Sequence, residues 1–194
     1  MNLAIFASGN GSNFAALVKA VKEKKIKAKL VVLVSDKPEA FVIKRAQKER
    51  ITVILVKRED FASRIDFETA IIQRLKNYRI DLIALAGFMR MLSPDFVKLY
   101  CNRIINIHPS LLPAFKGAHA IKDALNAKVG FTGVTVHFVD QEMDHGPLIL
   151  QKQIKIKRAE TLSSLEKRIH VLEHKLYPQA IKLFLDGKIR KVKG

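Results

Sequence analysis

Asn106 and His108 stand two residues apart near the end of an apolar run, so in an extended strand their side chains share one face while Ile105 and Ile107 take the other. An amide N–H can hold a carbonyl oxygen, and an imidazole can donate to the same oxygen or carry a proton as charge develops there. Together they are equipment for acyl transfer. A neighbouring carboxylate would raise the histidine's pKa by favouring imidazolium, and Asp144, in the polar run Asp140-Gln141-Glu142-Met143-Asp144-His145-Gly146, is the candidate for that role. Each residue also has a plainer reading: Asn106 satisfying backbone groups, His108 held by the geometry Pro109 imposes, and Asp144 opening an Asp-His-Gly turn.

A second constellation is Ser8-Gly9-Asn10-Gly11-Ser12-Asn13, which follows a short apolar run and precedes Phe14, Leu17, Val18 and Val21 at helical spacing. Glycines there let backbone N–H groups approach an anion, and the helix N-terminus adds positive potential, so a phosphate is the expected guest; a tight turn without a ligand is the alternative. Gly9-x-Gly11 is only part of a dinucleotide fingerprint, because Phe14 stands where a third glycine belongs and no clear ribose-binding acid ends the second strand. His170 and His174 are four apart on a helix but lack a nearby third ligand, so no metal is expected, and there is no Gly-x-Ser-x-Gly elbow. Cys101 is the single cysteine; it can form no intrachain disulfide and is expected to pack at a helix end rather than to react.

These residues must be positioned by an alternation of strands and helices. Apolar runs at residues 3–7, 28–34, 52–56, 81–87 and 103–107 read as strands, separated by helical patterns that include 41–50, 61–78 and 94–100, the last opened by Ser93 as cap and Pro94 at the first position. The continuous apolar run at 81–87 is of the kind buried on both faces, which points to a parallel sheet. The loop His108 to Pro113 then lies at the C-terminal end of a strand, where open parallel sheets bind ligands, and a helix follows at 118–128. Farther on, Val134, Val136 and Phe138 alternate with Thr135 and His137, and 148–156 is extended again, giving a hairpin-type pair. Ser163-Ser164-Leu165-Glu166 offers a capping box for a last helix carrying Leu165, Ile169, Leu172 and Leu176, which Pro178 is expected to end or kink.

The chain's 194 residues, 48% apolar and 27% charged, suit one globular α/β domain. Its apolar runs fall far short of the roughly 20 residues a membrane helix needs, and Met1 leads straight into a strand-like segment without an export signal, so a cytoplasmic location and no membrane partner are expected. The net charge of +17, from 35 Lys and Arg against 18 Asp and Glu, would favour polyanions. The basic residues are spread over 19–29, 44–50, 152–158 and 188–193 with little aromatic interleaving, so a solvated basic surface is preferred to a nucleic-acid site; it would speed the encounter with acidic small molecules.

Taken in order, Ser8 to Asn13, Leu85-Ala86-Gly87-Phe88-Met89-Arg90-Met91-Leu92-Ser93-Pro94, Ile105-Asn106-Ile107-His108-Pro109-Ser110-Leu111-Leu112-Pro113, Gly117-Ala118-His119 and Asp144-His145-Gly146-Pro147 resemble the folate-dependent glycinamide ribonucleotide formyltransferases over nearly the whole chain. The resemblance implies a Rossmann-like, mainly parallel sheet with helices on both faces, followed by an antiparallel strand pair and a final helix. It implies one formyltransferase domain over residues 1–194, with a phosphate-binding half at 1–100 and a catalytic and folate-binding half at 101–194. The implied reaction belongs to de novo purine biosynthesis: the amine of glycinamide ribonucleotide attacks the formyl carbon of 10-formyltetrahydrofolate, without a covalent enzyme intermediate and without a metal.

Asn106, His108 and Asp144 fall on the family's catalytic positions. The substrate phosphate is assigned to Gly11, Ser12 and Asn13, with His170 and Glu173 as further glycinamide ribonucleotide contacts. The folate is carried onto Arg64, Met89, Arg90, Met91, Leu92 and Asn106, with Asp140, Gln141, Glu142, Met143 and Asp144 closing around its pterin-bearing end. His145 departs from the family, which often has a small or acidic residue there. Methionyl-tRNA formyltransferases and formyltetrahydrofolate deformylases share the Asn-x-His and the later Asp, but each carries a further domain for which 194 residues are expected to leave no room. A non-catalytic basic RNA-binding protein on the same fold is the remaining alternative; a monomer and a homodimer are both compatible with the sequence.

Overall fold

The computed structural model describes residues 1–189; residues 190–193 of the last basic run lie outside the described residues. Among the described residues, β1 (Asn2–Phe6), β2 (Lys29–Ser35), β3 (Thr52–Leu55), β4 (Leu82–Leu85), β5 (Ile104–His108), β6 (Phe131–Phe138) and β7 (Leu148–Lys155) form one seven-stranded sheet in the order β3-β2-β1-β4-β5-β6-β7. The first five strands are parallel, whereas β6 runs antiparallel to β5 and β7 antiparallel to β6. The helices are α1 (Ser12–Lys22), α2 (Phe41–Lys48), α3 (Arg64–Leu75), α4 (Pro94–Leu99), α5 (Ala120–Asn126) and α6 (Leu162–Leu185). None is long and apolar enough to cross a membrane among the described residues.

The period of two along each strand divides the core. Ile5, Leu33, Ala84 and Ile105 join Phe14, Leu17, Val42, Ile169 and Tyr177 on the side of α1, α2 and α6, while Ala4, Phe6, Val34, Ile83 and Ile104 join Phe67, Ile71 and Phe96 on the side of α3 and α4. Phe6 is wholly buried and meets Phe88 and Phe96 edge-on at 5.3 and 6.1 Å between centroids. The chain runs outward from β1 to β2 and β3, then crosses back to β4 on the other side of β1. This reversal parts the loops that follow β1 and β4 and opens a crevice at the strands' C-terminal ends.

Several local expectations are corrected. Ser163 does not cap α6: Thr161, in extended backbone, accepts from Ser164 N at 3.2 Å, and Glu160 receives the Ser164 hydroxyl and the Arg168 guanidinium, so the cap sits two residues earlier. Pro178 does not end α6, which continues to Leu185; Tyr177, Ala180 and Ile181 are buried on both sides of it, and their burial outweighs the bond proline removes. In strand β6 both faces are covered, Thr135 and His137 being buried as fully as their apolar neighbours. Thr135 is satisfied by donating to Ser110 O at 2.7 Å and accepting from Leu112 N at 3.1 Å. Cys101 is exposed in the turn after α4, where Tyr100 takes the buried place instead.

Tyr177 shows how α6 braces the sheet beneath the crevice. Its hydroxyl lies 2.8 Å from Leu85 O and 2.9 Å from Ile105 O, at the point where β4 and β5 part. Burial lifts this hydroxyl well above its ordinary pKa, which keeps it a neutral donor. Tyr177→Phe leaves two carbonyls without it and should lower unfolding free energy by about 1–3 kcal/mol, measured by urea titration. A variant as stable as the parent would show that the hydroxyl contributes nothing there.

Candidate active site

The turn after β1 feeds directly into α1. Gly11 caps the helix with φ 77°, and the first turn of α1 holds no acidic residue and no side-chain cap bond. The free N–H groups of that turn and the helix dipole therefore favour an anion. The glycine itself is required for a packing reason: a Cβ at position 11 would come within 2.5 Å of the Val42 side chain. Asp36 immediately follows β2. Its side chain is fully buried and accepts from Arg90 Nε at 2.8 Å, which withdraws it from any ribose.

The structure brings Asn106, His108 and Asp144 together. His108 Nδ1 is 3.4 Å from Asp144 Oδ2, and Asn106 Nδ2 donates to Asp144 Oδ1 at 3.4 Å. Asp144 Oδ2 also accepts from Gly117 N at 2.9 Å, so the carboxylate ties its own loop to the loop that follows β5. That position carries strain in two places, since Asp144 has φ 48° and Phe115 φ 54°. The strained Phe115 presents its carbonyl to His108 Nε2 at 2.8 Å. A carbonyl can only accept, so Nε2 carries a hydrogen and Nδ1 is the nitrogen left to face the carboxylate. Gly146 lets the loop return to β6: a Cβ there would lie 2.0 Å from Phe138 O.

Sequence reasoning missed His137. Its Nδ1 donates to Phe138 O at 2.8 Å, leaving Nε2 as an acceptor 3.2 Å from Asn106 Nδ2. Burial holds this imidazole below its usual pKa and therefore neutral. The Asn106 amide is thus oriented by two acceptors, His137 and Asp144, with its NH2 group aimed at both. The register could have found His137, because it pairs directly with Asn106 across β5 and β6, but only once the antiparallel pairing is known.

A cavity of about 780 Å³ runs from the Gly11 turn past these residues. Gly11, Ser12, Asn13, Met89, Arg90, Met91, Leu92, Asn106, His108, Asp140, Glu142, Met143, Asp144, His170 and Glu173 line it, so both halves of the chain contribute. Arg64, exposed at the start of α3, and Gln141, exposed on its loop, do not. His170 stacks on His174 along α6, with ring centroids 6.5 Å apart.

Glu173 joins α6 to the Gly11 turn by accepting from Asn13 Nδ2 at 3.0 Å. Burial lifts its carboxyl to about 7 from an ordinary 4.5, against the smaller opposing effect of the Asn13 bond. Between these values the unfolded chain has released a proton that the folded chain keeps, so this group makes stability fall as pH rises, in full above about 7. Glu173→Gln should abolish a loss of at most about 3 kcal/mol between pH 5 and pH 8, read by urea unfolding. The same pH dependence in both proteins would contradict the assignment.

A family model described as formyl transferase matches residues 1–181 of the chain. The chain is 48% identical over 182 residues to the phosphoribosylglycinamide formyltransferase of Bacillus subtilis (strain 168), covering 94% of this chain and 93% of that one. It is 38% identical over 190 residues to the phosphoribosylglycinamide formyltransferase of Escherichia coli (strain K12), with 98% and 90% covered. The crystal structure of phosphoribosylglycinamide formyltransferase from Bacillus halodurans matches with a TM-score of 0.94 at 40% identity and 97% of each chain covered.

Proposed function

Since this chain belongs to the formyl transferase family, we propose that it transfers the formyl group of 10-formyltetrahydrofolate to the amino group of glycinamide ribonucleotide, giving formylglycinamide ribonucleotide and tetrahydrofolate in de novo purine biosynthesis. The observation that carries this reading is one cavity with an anion-ready helix terminus at one end and the Asn106, His108 and Asp144 cluster beside it.

In this reading the turn of Gly11, Ser12 and Asn13 takes the sugar phosphate, and Glu173 and His170 stand along the ribonucleotide. The exposed methionines 89, 91 and 143 offer apolar surface at the cavity for a flat folate ring, with Met89 to Leu92 on one wall and the loop from Asp140 to Asp144 on the other. Arg64 and Gln141 lie outside the cavity lining and are left to contact only a part of the folate that extends beyond it.

The substrate amine attacks the formyl carbon, and negative charge grows on the formyl oxygen. One Asn106 N–H leaves its long 3.4 Å contact with Asp144 to donate to that oxygen, while His137 holds the other N–H. The Phe115 carbonyl retains the Nε2 proton of His108, so the hydrogen that His108 directs at the growing oxyanion is the one on Nδ1, beside Asp144. Asp144 stabilises the imidazolium, which keeps that hydrogen; as the oxyanion collapses the bond from the formyl carbon to the folate nitrogen breaks, and the proton lost by the attacking amine goes to the departing nitrogen.

The test is formyl transfer with both substrates present. Folate product formed only with glycinamide ribonucleotide supports the reading. Hydrolysis of the formyl donor without the ribonucleotide would make the chain a deformylase, and salt-sensitive RNA binding without turnover would replace the enzyme reading with a binding protein.

A further inference from the structure

The cavity wall formed by Met89 to Leu92 is held from behind by a carboxylate that does not line the cavity. Glu68, on α3, is 3% exposed and accepts hydrogen bonds from Ser93 N at 2.8 Å and from the Ser93 hydroxyl. Ser93 closes the wall segment and caps α4, its Oγ accepting from Phe96 N at 3.2 Å. The same segment is tied at its start, where Met89 N donates to Ser8 Oγ at 3.0 Å, and at its middle, where Arg90 meets Asp36.

Ser93 already caps α4, and the neighbours of Glu68 on the buried face of α3, Phe67 and Ile71, are apolar. An apolar residue at 68 would serve packing as well, and burying a carboxylate is costly. What the carboxylate adds is a two-point hold on one residue, backbone and hydroxyl together, which fixes where the wall ends. We propose that Glu68 is a positioning residue for the folate co-substrate, acting through Ser93 to set the wall that carries Met89, Arg90, Met91 and Leu92. The inference rests on the function proposed above.

Steady-state kinetics with 10-formyltetrahydrofolate and glycinamide ribonucleotide test it. Glu68→Leu should raise KM for the folate about ten-fold while kcat at saturating folate and KM for the ribonucleotide stay within about two-fold. Glu68→Gln, which keeps a carbonyl acceptor for Ser93 N, should recover most of the folate KM. If Glu68→Leu does not fold, Ser93→Ala removes the hydroxyl bond and keeps the backbone one; it should raise the folate KM alone, by a smaller factor. An unchanged folate KM in a folded variant, or both KM values and kcat moving together, would overturn the proposal. Absence of turnover in the unmodified protein would remove the proposed function and this inference with it, whereas normal turnover with an insensitive folate KM removes the inference alone.

Discussion

His108→Ala is expected to lower kcat by about 10²–10⁴-fold, the range for loss of a positioned proton donor, with little change in KM for either substrate. The reason is geometric. His108 is 5% exposed, its Nε2 hydrogen is held by the Phe115 carbonyl, and only Nδ1 remains to serve the reacting group. The bond it makes strengthens as charge develops, so its removal falls on turnover rather than on binding. Steady-state kinetics of the folded variant check this. A kcat within a few-fold of the parent would take His108 out of the chemistry.

Asp144→Asn should lower kcat by about 10²–10³-fold, comparable to losing one preorganised electrostatic partner. Asparagine keeps the shape and can still accept from Gly117 N, so the loop remains tied, but the negative charge beside His108 Nδ1 and Asn106 Nδ2 is gone. Because Asp144 acts through His108, the double variant His108→Ala with Asp144→Asn should be little worse than His108→Ala alone. If the two losses multiply instead, the residues do not work as one unit.

The sheet is legible because its strands are short, apolar and separated by turn residues, and because the pattern turns to alternation at Val134 with Gly146-Pro147 parting the last two strands. The shared face of Asn106 and His108 was legible for the same reason: a strand's period of two needs no tertiary information. Contacts between distant segments were not. His137 sits in an alternating strand with nothing local to distinguish it, and it meets Asn106 only through the register of β6 on β5. Glu68 reads as one acid on an amphipathic helix until Ser93 is folded against it. Asp36 follows the second strand, and its pairing with Arg90, 54 residues away, is visible only in the fold. The cap of α6 falls at Thr161 rather than Ser163 because three hydroxyl residues crowd that terminus, and the hold of Arg168 on Glu160, eight residues away, favours Thr161.

In the proposed reaction an amide, an imidazole and a carboxylate surround one reacting carbon in a cavity whose other end takes a phosphate. A crystal structure with glycinamide ribonucleotide and a non-transferable 10-formyltetrahydrofolate analogue tests it most directly. The expected complex has the phosphate on the N–H groups of the Gly11 to Asn13 turn, the substrate nitrogen about 3–3.5 Å from the analogue's carbon, and the analogue's oxygen within hydrogen-bonding reach of Asn106 Nδ2 and His108 Nδ1. An analogue bound with that oxygen turned away from both side chains, or an Asp144 carboxylate withdrawn from His108 in the complex, would contradict it.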